Sequence, residues 1–473
     1  MSLDVLTFGT DGWRDIIGDR FTVDNVARAS QAYARHILDQ GYDSAVIGYD
    51  TRFNGDMFAY KAARVMTANG LSVELSTEYL PTPALSFAVK HLKVGGGVML
   101  TASHNPPPYL GFKLKGRYGG TATEDIYQDV SDRIPDIGVQ NIARYNEDRH
   151  TMFGFDIRKK YFEAISQLVD LDVLRSREVT IAHDGMGGGA SGWLSDFFQR
   201  YAPNVTVKEI RCKADPLFYG VNPEPIDKNL ALTMEAVKDM DVLFATATDG
   251  DGDRLGVVLP DGSFFNSHQI FAVLLHHLHQ KGMMGRVVKT FTVSRMIERL
   301  AVLRGLQVTE TAVGFKYIVD AMLKGNVLIG GEESGGIGVK GHIPERDGIA
   351  NSILLLEAVL SSQKSLAELF SDLEDEVHWK HSYDRIDLHL DGNELKDDVM
   401  DAVSQDINSF AERKVLSREY RDGVKFNLEG KAWLLFRPSG TEPVLRIYCE
   451  AQSDDEVASI LKAADVYVQS LSA

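Results

Sequence analysis

A strand, helix, strand alternation recurs three times along this 473-residue chain and then gives way to a different pattern, which constrains the fold more than any single residue does. From Thr22 onward, Val26, Ala27, Tyr33, Ala34, Ile37 and Leu38 fall at helical spacing, with Thr22 placed to cap the helix and Gly41 to stop it. SAVIGYDTR (44–52) follows as a strand, then an alanine-rich helical stretch over about 58–68 ended by Gly70, then the strand LSVELS. The rhythm restarts at VTIAHDG (179–185), with a helix around Trp193 to Tyr201 and a strand near Val205. It appears again where VVKTF (287–291) precedes a helix through Ile297 and Leu300, after which LQVTET and NVLIGG read as strands. After about residue 378 the alternating strand HSYDRIDLHL opens a tail with a helix from Leu395 to Phe410, two more strands and a last helix through Val457 to Val468. Three related α/β units and an α+β tail follow, with divisions at 1–148, 149–257, 258–378 and 379–473.

Composition narrows the function classes. Sixty-seven acidic against 50 basic side chains leave a formal charge of −17, which repels nucleic acid and anionic membrane surfaces. An anionic substrate therefore requires a concentrated basic site. Two cysteines, Cys212 and Cys449, are too few for a disulfide framework and fit a reducing compartment, so a cytoplasmic location is expected. The start lacks the basic and apolar regions of a signal peptide, and no stretch reaches the ~18 apolar residues of a spanning helix. The densest apolar stretches, Ile270 to Leu278 and Ile353 to Leu360, are interrupted by His276, His277 and Glu357 and read as core helices.

Four loops carry chemistry. TASHNP (101–106) follows the strand-like GGGVML, so Ser103 is expected on a tight, exposed loop at the carboxyl end of a strand, with His104 as its neighbouring base; a plain capped turn is the alternative. DGDGDR (249–254) sets three carboxylates at alternate positions with glycines between, a pattern that can converge on one hard cation. An EF-hand fails in either register, because counting from Asp249 places Arg254 and Pro260 where that loop needs Gly and Glu, and counting from Asp251 ends on Gly262. Three clustered acids without a cation would repel one another, so a metal site is expected. GGEESGG (330–336) offers a carboxylate and a hydroxyl suited to adjacent sugar hydroxyls, or is a flexible loop. RPSGTEP (437–443) has the donors of an anion nest, with a hairpin turn as the alternative. The glycine run at 185–192 departs from the dinucleotide fingerprint and reads as close strand-to-helix packing. His276, His277 and His279 lack the carboxylate pattern of a zinc helix, so no metal is assigned there.

Taken in order, TASHNP, DGDGDR, GEESGG and RPSGTEP resemble the four loops of the α-D-phosphohexomutase family, and FGTDGWR (8–14), VGFKYI and HIPERDG are similar to further stretches of it. The resemblance covers essentially the whole chain. It implies three related α/β domains with mixed sheets plus a C-terminal α+β domain, in a heart-shaped four-domain arrangement around a central cleft. It also implies that Ser103 is the phosphorylated nucleophile and that Asp249, Asp251 and Asp253 bind one Mg²⁺ together with the phosphoserine. Arg254 would stabilise the transferred phosphoryl group, and Arg14, His104 and Lys113 would serve charge stabilisation, positioning and proton transfer. Glu332 and Ser334 would hold sugar hydroxyls, and Arg437, Ser439, Gly440 and Thr441 would grip the phosphate that is not transferred.

The implied reaction interconverts hexose 1-phosphate and hexose 6-phosphate through a hexose 1,6-bisphosphate, which also serves as activator. Glucose phosphates are expected because GEES is closest to the phosphoglucomutase branch. Phosphomannomutase or dual-specificity activity is the alternative within the class, a non-catalytic sugar-phosphate sensor or a sugar-phosphate phosphatase outside it. Two departures stand out: Leu110 replaces a common Asn before GFK, and Gly336 replaces a histidine found in many relatives, for which His342 and Arg346 are the available substitutes. Arg346 then acts as a charge stabiliser, since a guanidinium is a poor proton donor. Expected partners are a small-molecule sugar phosphate, with neither nucleic acid nor membrane, in a monomer or homodimer.

Overall fold

The computed structural model describes residues 5–9, 11–390, 392–405, 407–439 and 444–471, which fall into two compact units. The first comprises residues 1–288 and 314–369, the second 289–313 and 370–473.

The first unit opens with the helix Val23–Asp39, capped by Thr22, whose hydroxyl accepts the N–H of Asn25 at 3.2 Å, and followed by Gly41 at φ +81°. Its first sheet has seven strands. Ser44–Tyr49 lies parallel to Ser72–Ser76 on one side and to Gly96–Leu100 on the other, and Gly96–Leu100 then pairs antiparallel with Tyr109–Gly116. Such a mixed sheet is what a β-α-β rhythm ending in a hairpin builds. A second sheet of five strands centres on Ala245–Thr248, parallel to Val179–Asp184 and antiparallel to Leu255–Val258. A third pairing, Val327–Gly331 with Ile337–Val339, is an antiparallel hairpin. The two apolar stretches with polar interruptions are the helices Ser267–Gln280 and Gly348–Ser362, as expected. The interruptions answer one another: Glu357 meets Lys281 Nζ at 2.6 Å and His277 Nε2 at 3.4 Å.

The second unit is built on an antiparallel sheet of six strands in the order Ser382–His389, Val444–Ala451, Trp433–Pro438, Val424–Leu428, Arg413–Tyr420, Ser409–Phe410. The helices Asn393–Ser404 and Asp454–Leu471 supply Val399, Val403, Ile460 and Ala464 to a core with Phe426, Leu434 and Phe436. Residues 289–313 belong to this unit because buried Glu450 accepts from Ser294 Oγ, from the N–H of Arg295 (3.1 Å) and from the indoles of Trp379 (3.3 Å) and Trp433 (2.6 Å). Two expectations need correction. The helix placed over 395–410 ends at Ser404, and Ser409–Phe410 instead pairs with Arg413–Tyr420 across a turn in which Ala411 and Glu412 both have positive φ, +46° and +63°. That geometry is a tight hairpin normally announced by Asn-Gly, and here it carries no such signal. The tail also has more strands than foreseen. Among the described residues, no helix is long and apolar enough to cross a membrane.

Candidate active site

Ser103 sits two residues past Thr101, which directly follows the fully buried strand Gly96–Leu100, at φ +53°, a left-handed conformation uncommon for a residue with a side chain. Its N–H donates to Thr101 Oγ1 at 2.9 Å, and Asn105 N–H closes the turn onto Ala102 O at 3.0 Å. The expected exposed loop is not what forms, because Ser103 has no accessible surface. The DGDGDR loop covers it so closely that a Cβ on Gly250 would lie 2.4 Å from the Ser103 carbonyl oxygen. Ser103 Oγ donates to Asp249 Oδ2 at 2.7 Å and lies 3.5 Å from His104 Nδ1.

DGDGDR is the turn of the hairpin Ala245–Thr248 to Leu255–Val258. Asp249 Oδ1 accepts the N–H groups of Asp253 (3.0 Å) and Arg254 (3.1 Å), which folds the loop back on its first carboxylate. Asp249, Asp251 and Asp253 are all fully buried and each offers an oxygen within 4.8 Å of the others. The glycine run at 185–192 packs against this loop, which corrects the strand-to-helix reading: a Cβ on Gly188 would stand 2.6 Å from Gly250 O, and Gly189 N–H donates to that same oxygen.

A cluster of cations holds the acids. Lys113 Nζ reaches Asp11 and Asp251 at 2.8 Å and Asp253 at 3.2 Å. Arg346 reaches Asp11 at 2.6 Å, Asp253 at 2.8 Å and Glu332 at 3.7 Å. Burial alone would lower the Lys113 pKa, but the three carboxylates outweigh it and hold the ammonium above its ordinary range. Burial and then its partner acids act the same way on Arg346, with the same upward result. The acids divide. Burial would raise Asp251, yet Lys113 holds it below the usual carboxylate range, whereas burial and then the neighbouring Asp251 and Asp253 push Asp249 well above it. Burial also raises Asp253, against the pull of Arg346. Asp251 Oδ1 and Asp253 Oδ1 are buried without a hydrogen-bond partner. Unpaired, mutually repelling oxygens on hard ligands fit a small oxygen-loving divalent cation.

Other candidates divide between those that join this cluster and those that do not. Arg14 Nη1 donates to Asn105 Oδ1 at 2.9 Å, and its Nη2 lies 3.7 Å from Asp11. Arg254 pairs loosely with Glu224 at 3.6 Å, and its buried Nε lacks a hydrogen-bond partner. Glu332 accepts the N–H of Gly314 at 3.1 Å, and Ser334 is half-buried on the same loop. His342 does not reach the acids: Nε2 lies 2.7 Å from Asp347, which caps the helix Gly348–Ser362 and accepts the Tyr161 hydroxyl at 2.8 Å. Arg346, rather than His342, lies over Gly336, where a Cβ would stand 2.3 Å from the Arg346 Cδ. In the second unit Arg437 Nε donates to Asp422 at 3.1 Å, and the Ser439 carbonyl accepts from Lys396 Nζ at 2.9 Å; Gly440 and Thr441 lie outside the described residues. Sequence reasoning missed Asp11 and Arg52, although FGTDGWR and YDTR each place a charged residue just inside or after a core segment.

Four family profiles match the chain: phosphoglucomutase/phosphomannomutase alpha/beta/alpha domain I over residues 5–140, domain II over 159–262, domain III over 266–377, and the C-terminal domain over 394–465. A Thermus thermophilus protein described as a "putative phosphomannomutase" has a crystal structure that is similar at a TM-score of 0.89, with 42% identity over 99% of this chain and 100% of that one. The chain is also 29% identical to a phosphoglucomutase/phosphomannomutase of Thermococcus kodakarensis over 96% of both chains. It is equally 29% identical to a phosphoglucosamine/phosphogalactosamine mutase of Sulfurisphaera tokodaii, over 96% of this chain and 97% of that one.

Proposed function

Because the chain belongs to the phosphoglucomutase/phosphomannomutase family, enzymes that move a phosphoryl group within a sugar phosphate, we propose that it interconverts hexose 1-phosphate and hexose 6-phosphate, glucose phosphates first, through a phosphorylated Ser103. The observation that carries this reading is the 2.7 Å hydrogen bond from Ser103 Oγ to Asp249 of the acidic triad. A serine hydroxyl is a weak nucleophile, and a phosphoserine carries roughly −1.5 to −2 charges that must be neutralised before an anionic sugar can approach.

Asp249, Asp251 and Asp253 would hold Mg²⁺ beside the phosphoserine, where a bound divalent cation neutralises phosphoryl oxygens. The chain's own groups do the rest. Asp249 takes the hydrogen bond of the free Ser103 hydroxyl, which orients Oγ when the phosphoryl group has left. Arg254, whose Nε lies 4.0 Å from Asp249 Oδ2 and makes no hydrogen bond, supplies a donor to the group in flight. Lys113 and Arg346 supply positive charge beside the triad, Lys113 through Asp11, Asp251 and Asp253 and Arg346 through Asp11 and Asp253. Glu332 and Ser334 would read a sugar hydroxyl pair in either orientation of the bisphosphate, and Arg437 with Ser439 would anchor the resting phosphate.

Mannose and glucosamine phosphates are the second reading, since similar proteins are named for mannose and glucosamine mutases. A coupled assay of glucose 1-phosphate, mannose 1-phosphate and glucosamine 1-phosphate, each with a trace of the matching bisphosphate, tests it. The glucose ester should give the highest kcat/KM. A higher value for either other ester moves the assignment to that branch, and no turnover of any removes the mutase reading.

A further inference from the structure

The loop that presents Ser103 is fastened from behind by a side chain that contacts no acid of the triad. Arg52 follows the strand Ser44–Tyr49 and is buried. Its Nη2 donates to the carbonyl oxygens of Ser103 (2.8 Å) and Asn105 (2.6 Å), and its Nη1 to those of Pro106 (2.9 Å) and Tyr109 (2.9 Å). Four carbonyls from a seven-residue stretch thus converge on one guanidinium, whose flat fork suits several acceptors at once. Asp50 fixes the fork from the other side. Its Oδ2 lies 3.3 Å from Arg52 Nε and accepts Thr101 Oγ1–H at 2.5 Å, and Thr101 Oγ1 in turn receives the Ser103 N–H. The Phe218 ring covers the guanidinium, with its centroid 4.7 Å from Cζ.

Both backbone groups of Ser103 are therefore set by the pair Asp50 and Arg52: the N–H through Thr101, the carbonyl directly. Ser103 is in a left-handed conformation that its own side chain disfavours, so something outside the residue must hold it there. The carbonyl that Arg52 grips is also the atom against which Gly250 of the acidic loop packs. We propose that Arg52 is a positioning residue for phosphoryl transfer, fixing the Ser103 backbone so that Oγ meets the acidic triad in register. This rests on the reading of Ser103 as the nucleophile. Arg52 touches neither the triad nor the group in flight, so its removal should leave substrate binding alone and misplace the nucleophile. Displacement by about 1 Å at a reacting centre costs on the order of 10² in rate.

The test compares Arg52→Met, Arg52→Lys and Ser103→Ala enzymes, assayed with glucose 1-phosphate and saturating glucose 1,6-bisphosphate and corrected for the folded fraction by circular dichroism. Arg52→Met should lose at least ~10² in kcat, with KM within about threefold of the unmodified enzyme. Should it not accumulate folded, Arg52→Lys decides, because three ammonium hydrogens cannot serve four carbonyls, and it should lose at least about tenfold in kcat at unchanged KM. A kcat within about twofold of the unmodified enzyme in the deciding variant, or a loss carried by KM alone, overturns the proposal. Ser103→Ala separates the two claims: an inactive Ser103→Ala beside a fully active Arg52 variant removes only the role of Arg52, whereas an active Ser103→Ala removes the nucleophile as well.

Discussion

Asp251 shows at the scale of one residue how one acid of the triad is kept ionised by its neighbours while the other two are pushed the opposite way. Its Oδ2 is engaged by Lys113 at 2.8 Å and by Thr82 at 2.6 Å, while Oδ1 has no hydrogen-bond partner. Of the three acids it is the one held below the ordinary carboxylate range, so it brings a full charge to the site. Asp251→Asn keeps the shape and removes that charge. Mg²⁺ bound only to the folded protein stabilises it by mass action, so Mg²⁺ should raise the Tm of the unmodified protein, EDTA should reverse the rise, and the rise should shrink strongly in Asp251→Asn. Thermal melts across a Mg²⁺ titration check this, and equal shifts in both proteins would remove the triad as the metal site.

Among the elements, legibility followed local signals. The helix at 23–39, the three α/β alternations and the clustering of the acids at 249–253 could be read because capping residues, periodicity and glycine-flanked acids are encoded side by side. The hairpin at Ala411 and Glu412 could not, since its positive φ values fall on residues that do not signal them, while Phe410 beside the turn packs on Phe426 and Phe436, distant in sequence. The burial of Ser103 was missed for a related reason: the turn is local, but the loop that covers it arrives from residue 250. Arg52 looked like the polar end of a strand, and only the fold brings its four carbonyls together. Lys425 is a similar case. On the strand Val424–Leu428 it is buried against Trp433 and Phe291, and burial, then the nearby Lys289, bring its pKa down from 10.5 to about 7. Between those values the unfolded chain binds the proton and the folded chain does not, so Lys425 makes stability rise as pH climbs from about 7 toward 10.5. Melts of Lys425→Met at pH values near both ends should show a smaller gain on the alkaline side than the unmodified protein; identical gains would contradict this.

For the molecule as a whole, a chain of net charge −17 has to admit an anionic substrate. It does so locally: Arg14, Lys113, Arg254 and Arg346 stand among Asp11, Glu224, Glu332, Glu345 and the acidic triad, and a divalent cation on the triad would add two positive charges to that cluster. Transfer through Ser103 then requires that the phosphoryl group rest on this serine between turnovers. Incubation with glucose 1,6-bisphosphate radiolabelled in its phosphates, followed by proteolysis, tests that requirement directly. Label should appear on the peptide containing Ser103, be absent from Ser103→Ala and be discharged by unlabelled hexose monophosphate. Label that is absent from Ser103 in an active preparation, or that stays on the protein when the sugar phosphate is added, would contradict it.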